Sequence, residues 1–140
     1  MPLTVDSRLI FRLQALNWLR RRAVDGLAAV LADEAGLGKT ATAVAFIQAL
    51  RHEFKCCGPI LVVVPPADLA FWEGEVAFWA GPACNLVTYA GTASARALIH
   101  DHELWLAPGS LDHRNSVTAA NDRVPKVRTW LSTSDLTSGS

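Results

Sequence analysis

The stretch Leu31-Ala32-Asp33-Glu34-Ala35-Gly36-Leu37-Gly38-Lys39-Thr40 decides the fold of this chain. A short apolar run precedes it at residues 27–32, and its length and composition predict a buried parallel strand. Residues 41–54 follow it with apolar side chains at helical spacing, which predicts a helix. A glycine-rich turn between a strand and a helix is the place where proteins build a phosphate-binding loop.

The residue types in this loop suit the binding of a nucleotide. Gly36 and Gly38 allow the backbone to curl so that successive N–H groups point at phosphate oxygens, and the following helix adds its positive N-terminal dipole. Lys39 is predicted to reach the β- and γ-phosphates, and the Thr40 hydroxyl to bind Mg²⁺. The sequence therefore predicts a site for ATP and Mg²⁺, with Thr40 as the magnesium ligand, formed by Asp33, Glu34, Ala35, Gly36, Leu37, Gly38, Lys39 and Thr40.

The loop departs from the strict pattern GxxxxGK[ST], because Asp33 takes the place of the first glycine. The alternative is a glycine-rich turn with a chance Lys-Thr pair, and the flanking strand and helix argue against it. Two stretches imitate the acidic box that holds magnesium. Residues 33–36 belong to the loop itself, and residues 101–103 follow a helical pattern, so we assign the latter to a solvated helix end.

The rest of the chain alternates helices and strands. Helices are predicted at 9–22 and 69–79 and from Thr92 or Ser94 onwards, with strands at 60–64, buried on both faces, and at 85–89. This order predicts an α/β fold with a parallel sheet of about three strands and flanking helices. We expect the domain to span residues 1–106, because residues 107–140 are rich in Ser, Thr, Asn, Asp and Pro and predict a tail of low order, with only 124–131 hinting at structure.

Composition narrows the classes of function. Hydrophobic residues make up 51% of the chain and thirteen basic residues balance thirteen acidic ones, so the charge itself predicts binding to neither nucleic acid nor an anionic membrane. No stretch approaches the ~18 apolar residues of a membrane span, and the N-terminus has no signal-like apolar region. We expect a soluble, intracellular protein without membrane partners, whose three cysteines are reduced thiols.

The motifs LNWL, LADEAGLGKT and GPILVVVP, followed by a tryptophan-rich helix, resemble the first part of the SNF2-type ATPase domain of chromatin remodelers. The stretches GPILVVVPPADLAFWEGEVAFWA and NLVTYAGTASARALIHDHEL look most like the CHD and ISWI branches, and the resemblance runs from about Leu9 to Trp105. It implies part of a RecA-like P-loop lobe, ATP and Mg²⁺ as ligands, and a nuclear protein whose partners are DNA and nucleosomes. It also implies that the turn after Pro65 lies close to the DNA backbone.

The resemblance has two departures. Aligned on LNWL, the family's adenine-reading glutamine falls at Arg12, while Gln14 lies two positions later and Phe11 replaces an aromatic residue that usually precedes the glutamine. The family's adenine contact is therefore not carried over to this chain. In addition, the family's acidic box and second lobe do not follow Trp105, so we expect no ATP hydrolysis by this chain alone.

Two alternatives remain beside an ATP-binding fragment of a remodeler, namely a small generic P-loop NTPase or kinase and a non-functional remnant. Three tryptophans on apolar helix sides, Trp18, Trp72 and Trp79, are predicted to pack in the core instead of stacking on bases. The basic run 20–22 is predicted to form a solvated turn that complements a helix dipole.

Overall fold

The computed structural model describes residues 7–56, 58–81, 84–103, 105 and 129–133. The elements in these ranges are, in chain order, α1 (Ser7–Val24), α2 (Lys39–His52), β1 (Ile60–Val64), a 3-10 turn (Pro66–Asp68), α3 (Leu69–Ala80), β2 (Leu86–Tyr89), α4 (Ala93–Glu103) and β3 (Thr129–Thr133). They fall into two compact units, one with residues 7–56 and 75–80, the other with 58–74, 81, 84–103, 105 and 129–133. The predicted α/β class is confirmed at the level of mixed helices and strands.

The first unit is built on helices α1 and α2, which pack against each other. Buried apolar side chains lie on both helices, among them Leu19 on α1 and Val44 and Ile47 on α2. Helix α1 ends at a left-handed glycine, Gly26, with φ of 66°. The amide of Gly26 donates to the carbonyl of Ala23, and the next amide donates to the carbonyl of Arg22, which is the pattern of a Schellman cap. This cap turns the chain sharply after α1.

The second unit holds a parallel three-stranded sheet in the order β1-β3-β2. Leu131 in the middle strand pairs with Val62 on one side and Thr88 on the other. Helix α4 contacts β2, and the Thr92 hydroxyl accepts a hydrogen bond of 3.2 Å from the Ala95 amide. Thr92 is therefore the N-cap of α4, as one of the two residues that the sequence offered for this role.

The strand predicted at residues 27–32 is absent, because this segment is irregular in the structure. Its side chains lie largely in solvent, with Leu27 53% exposed and Val30 82% exposed. A strand exists only where a neighbouring strand pairs with its backbone, and no described strand pairs with this segment. Three of its six residues are alanine, which has low β propensity, so nothing local compensates for the missing neighbour.

The middle strand of the sheet comes instead from the segment predicted to be a tail of low order. Thr129–Thr133 pairs in parallel with both β1 and β2. Within the tail, the sequence indicated order only at 124–131; strand Thr129–Thr133 overlaps that stretch and continues beyond it, and 107–128 and 134–140 lie outside the described residues. The polar composition of residues 107–140 predicted a tail. Strand formation here depends instead on backbone hydrogen bonds with β1 and β2, which lie far away in the chain.

Burial also differs from the sequence-based expectation. Leu61 and Val63 on one side of β1 are 64% and 56% exposed, although we predicted a strand buried on both faces. Trp18 and Trp79 are 41% and 45% exposed, so the prediction that they pack in the core is wrong. Helix α3 is apolar around most of its circumference and cannot turn every side inward. Among the described helices, none is long and apolar enough to cross a membrane.

Candidate phosphate-binding site

Residues 33–38 form a tight loop directly before helix α2. Gly36 and Gly38 have φ values of +86° and +88°, in the left-handed region that a side chain disfavours. The Leu37 amide donates to the carbonyl of Glu34 at 3.4 Å, which closes a turn inside the loop. Both glycines of the motif are therefore used for the backbone conformation that the sequence analysis expected of them.

The N-terminus of α2 presents donors that the helix does not use. The first intrahelical bond runs from the Thr42 amide to the Gly38 carbonyl at 3.0 Å. No side chain caps the helix, and the amides of Lys39, Thr40 and Ala41 have no partner among the described residues. Open amides combined with the positive end of a helix dipole favour an anion at this position.

Lys39 lies across the loop. Its Nζ atom donates to the carbonyl oxygens of Asp33 at 2.7 Å and Glu34 at 2.9 Å. The two bonds tie the first helical residue back to the start of the loop. Thr40 follows as the second residue of α2 and is partly exposed.

A second cation contacts the loop from helix α1. The Nε atom of Arg12 donates to the Leu37 carbonyl at 3.2 Å, although the two residues are 25 positions apart. A Cβ atom on Gly38 would lie 2.8 Å from the guanidinium carbon of Arg12, so the guanidinium occupies the space that a side chain would need. From the sequence, Arg12 was only a departure from a family position and not a predicted site residue. The one feature of the sequence that could have drawn attention to it is the positive charge of Arg12 at a position where the family has an uncharged glutamine.

An open cleft of about 350 Å³ adjoins the loop. Helix α1 lines it with Phe11, Gln14 and Trp18, and the irregular segment lines it with Val30 and Asp33, among others. The guanidinium carbon of Arg22 lies 5.7 Å from the centre of the Trp18 ring, a cation–π distance. The cleft thus brings an amide side chain and aromatic rings next to one end of the loop at residues 33–38.

All eight predicted site residues, 33–40, are contiguous in space as loop and first helical turn. Their roles toward a nucleotide and Mg²⁺ stay predictions. Within the described ranges, no group of three or more His, Cys, Asp or Glu side chains is placed to hold a metal ion. Asp101, His102 and Glu103 form the last turn of α4, and the first two are exposed, which confirms their assignment to a solvated helix end.

Comparison with known proteins gives a match to a described family. A sequence profile of the SNF2-related domain matches residues 11–120. The chain is 46% identical over 99 residues to Protein CHROMATIN REMODELING 4 of Arabidopsis thaliana, which covers 71% of the chain and 4% of that protein. It is 42% identical over 98 residues to chromodomain-helicase-DNA-binding protein 1 of Gallus gallus, covering 70% of the chain and 6% of the relative. A further relative is the CHD3-type chromatin-remodeling factor PICKLE of Arabidopsis thaliana, at 43% identity over 69% of the chain and 7% of that protein.

These matches confirm the resemblance stated from the motifs and its CHD-like character. The profile match continues to residue 120, beyond Trp105, the residue at which the resemblance read from the motifs ends. The chain spans only 4% to 7% of the length of the relatives named.

Proposed function

The chain belongs to the SNF2-related domain family, and from this membership we propose that it binds ATP through residues 33–40. One observation carries the proposal. Two glycines with positive φ place a curled backbone in front of an uncapped helix, and Lys39 lies at the start of that helix. This combination of open amides, helix dipole and a lysine suits a polyphosphate better than any other ligand class.

The residues divide the work between backbone and side chains. The amides of Lys39, Thr40 and Ala41 would bind phosphate oxygens, since they have no other partner in the described chain. The Lys39 ammonium would exchange the carbonyls of Asp33 and Glu34 for the β- and γ-phosphates, replacing two neutral acceptors with charged ones. Such an exchange favours binding because the Coulomb attraction between the ammonium group and a negatively charged phosphate is added to the hydrogen bond.

Thr40 is the residue that would hold Mg²⁺. Its side chain is partly exposed and directly follows Lys39, so its hydroxyl stands beside the phosphates that the lysine would contact. Magnesium prefers oxygen ligands and keeps several waters, so one hydroxyl together with phosphate oxygens is a suitable set. When bound, the ion neutralises phosphate charge; the protein's own contribution is to place the hydroxyl and the lysine.

At the level of the domain, we propose part of a RecA-like lobe that acts on DNA or nucleosomes in the nucleus. The support is the family membership and the parallel order β1-β3-β2. One relative is named as a DNA-binding protein, and the others are named as chromatin-remodeling proteins. Because the chain covers a small share of them, these partners belong to the proposal.

Lys39→Ala tests the ATP site. We expect affinity for a fluorescent ATP analogue to fall at least about tenfold, because the substitution removes a charge-assisted contact to phosphate. The matched control is Arg21→Ala, which removes one positive charge from an exposed position of the same unit. Titrations of the three proteins, with far-UV circular dichroism to compare their helix content, give the answer. Equal affinities of wild type and Lys39→Ala would contradict the site.

The expected lack of ATP hydrolysis is tested separately. Hydrolysis needs a carboxylate that orients water and usually an arginine that stabilises the developing charge. We expect phosphate release by the wild-type chain to equal that of Lys39→Ala, which serves as the blank for contaminating ATPases. Turnover clearly above this blank would show that a carboxylate such as Glu34 or Glu103 is catalytic, and Glu34→Gln and Glu103→Gln would identify which one.

A further inference from the structure

The charge of the loop leaves a polyphosphate with little net attraction from Lys39 alone. The loop carries two carboxylates, Asp33 and Glu34, against the one ammonium group of Lys39. A triphosphate adds several negative charges at the same place. Arg12 brings a second cation to the loop and makes the positive and negative groups equal in number.

The placement of Arg12 is specific to the loop. Its Nε atom is anchored on the Leu37 carbonyl, and its guanidinium lies over Gly38, the residue directly before Lys39. Gly38 is also the N-cap of α2, so the guanidinium lies beside the residue at which the helix begins. The absence of a side chain on Gly38 is what gives Arg12 this space.

The remaining donors of Arg12 are available. A guanidinium has five N–H groups, and only the one on Nε has a partner among the described residues. The two terminal nitrogens form a planar fork that matches two phosphate oxygens. Because Nε is already anchored, the side chain loses less conformational freedom on binding than a mobile surface arginine would.

We infer that Arg12 is a second phosphate-binding cation of this site, contacting the triphosphate from helix α1 while Lys39 contacts it from helix α2. The inference rests on the proposed function and deepens it, because it names the phosphates as the part of the nucleotide that Arg12 binds. An arginine offers donors only, so it suits the acceptor oxygens of phosphate in particular.

Titrations with ATP and with inorganic tripolyphosphate test the inference. Tripolyphosphate has no base or sugar and is measured by displacement of a fluorescent ATP analogue. We expect Arg12→Ala to weaken both ligands about tenfold or more, through loss of a charge-assisted hydrogen bond. Arg12→Gln keeps an unbranched polar side chain of similar helix propensity but places the family's adenine-reading residue at this position, so it is expected to weaken tripolyphosphate to the same extent and ATP by no more than that. Arg21→Ala, nine residues along the same helix and ~13 Å away, should change either affinity less than about twofold.

Three outcomes overturn the inference. If Arg12→Ala and Arg12→Gln bind both ligands like the wild type, Arg12 does not touch the nucleotide. If they weaken ATP but leave tripolyphosphate unchanged, Arg12 contacts the base or the sugar, and the proposed ATP site stands without this inference. If Lys39→Ala binds ATP like the wild type, the site itself fails and the inference fails with it. Circular dichroism of each variant separates loss of binding from loss of fold, and Arg12→Gln decides if Arg12→Ala unfolds.

Discussion

Two glycines of the loop share a backbone conformation but differ in their surroundings. Gly36 and Gly38 have nearly equal positive φ values, so each costs about 1–2 kcal/mol of strain when replaced by an L-residue. A Cβ on Gly36 would meet nothing within 4 Å, whereas one on Gly38 would meet the guanidinium of Arg12. The pair therefore separates backbone strain from side-chain contact.

Gly38→Ala is expected to cost more stability than Gly36→Ala. Both carry the strain of a positive φ, but only Gly38→Ala also displaces Arg12 from the Leu37 carbonyl, a bond worth about 1 kcal/mol. In an Arg12→Ala background the two glycine substitutions should cost the same. Free energies of unfolding from urea titrations measure both differences. A difference that persists without Arg12 would mean that another contact constrains Gly38.

At the scale of elements, strand β3 is what makes the sheet continuous. It lies between β1 and β2 and shares a parallel ladder with each. In the described sheet, β1 and β2 each pair with β3 and not with each other. Strand β3 therefore joins two strands that occur much earlier in the chain.

Leu131→Pro is expected to disrupt this sheet. Proline removes the backbone donor at a position of the middle strand that pairs with Val62 on one side and Thr88 on the other, so a hydrogen bond of the ladder is lost. Hydrogen exchange should become faster for the amides of β1 and β2. Leu131→Val keeps the backbone donor and serves as the control. Unchanged protection of β1 and β2 in the proline variant would show that they do not depend on β3.

For the whole molecule, exposed apolar side chains predict self-association. Leu61 and Val63 are 64% and 56% exposed on one side of β1, which is an outer strand of the described sheet. An apolar face on an outer strand with unpaired backbone groups is a template for another chain. The formal net charge of the chain is +0, so little charge repulsion between copies opposes their association.

We expect the wild-type chain to form larger species as its concentration rises. Replacing Leu61 and Val63 together by threonine places a β-branched residue at both positions of the strand but lowers its hydrophobicity, so self-association should decrease. Val24→Thr is the control, because Val24 is 70% exposed as a single residue at the end of α1. Sedimentation velocity over a range of concentrations measures the change. Equal self-association of the double variant and the control would exclude this face of β1 as the contact.

The sequence alone determined what local residue patterns control. Apolar periodicity placed the four helices, the β-branched run placed β1, and the loop at residues 33–40 was identified from its glycines and its Lys-Thr pair. These features depend on neighbours within a few positions, where backbone preferences and side-chain spacing are sufficient. Family membership was also accessible, because the motifs are contiguous in the chain.

Tertiary structure decided what depends on residues far apart in the chain. It left residues 27–32 irregular, where none of the described strands supplies pairing partners, and it placed Thr129–Thr133 between β1 and β2. It also placed the guanidinium of Arg12 over Gly38. The Nε atom of Arg12 donates there to the carbonyl of Leu37, a residue 25 positions further along the chain. Strand pairing and packing of one helix onto a loop are contacts between distant segments, and their free energy is not encoded in any short window of sequence.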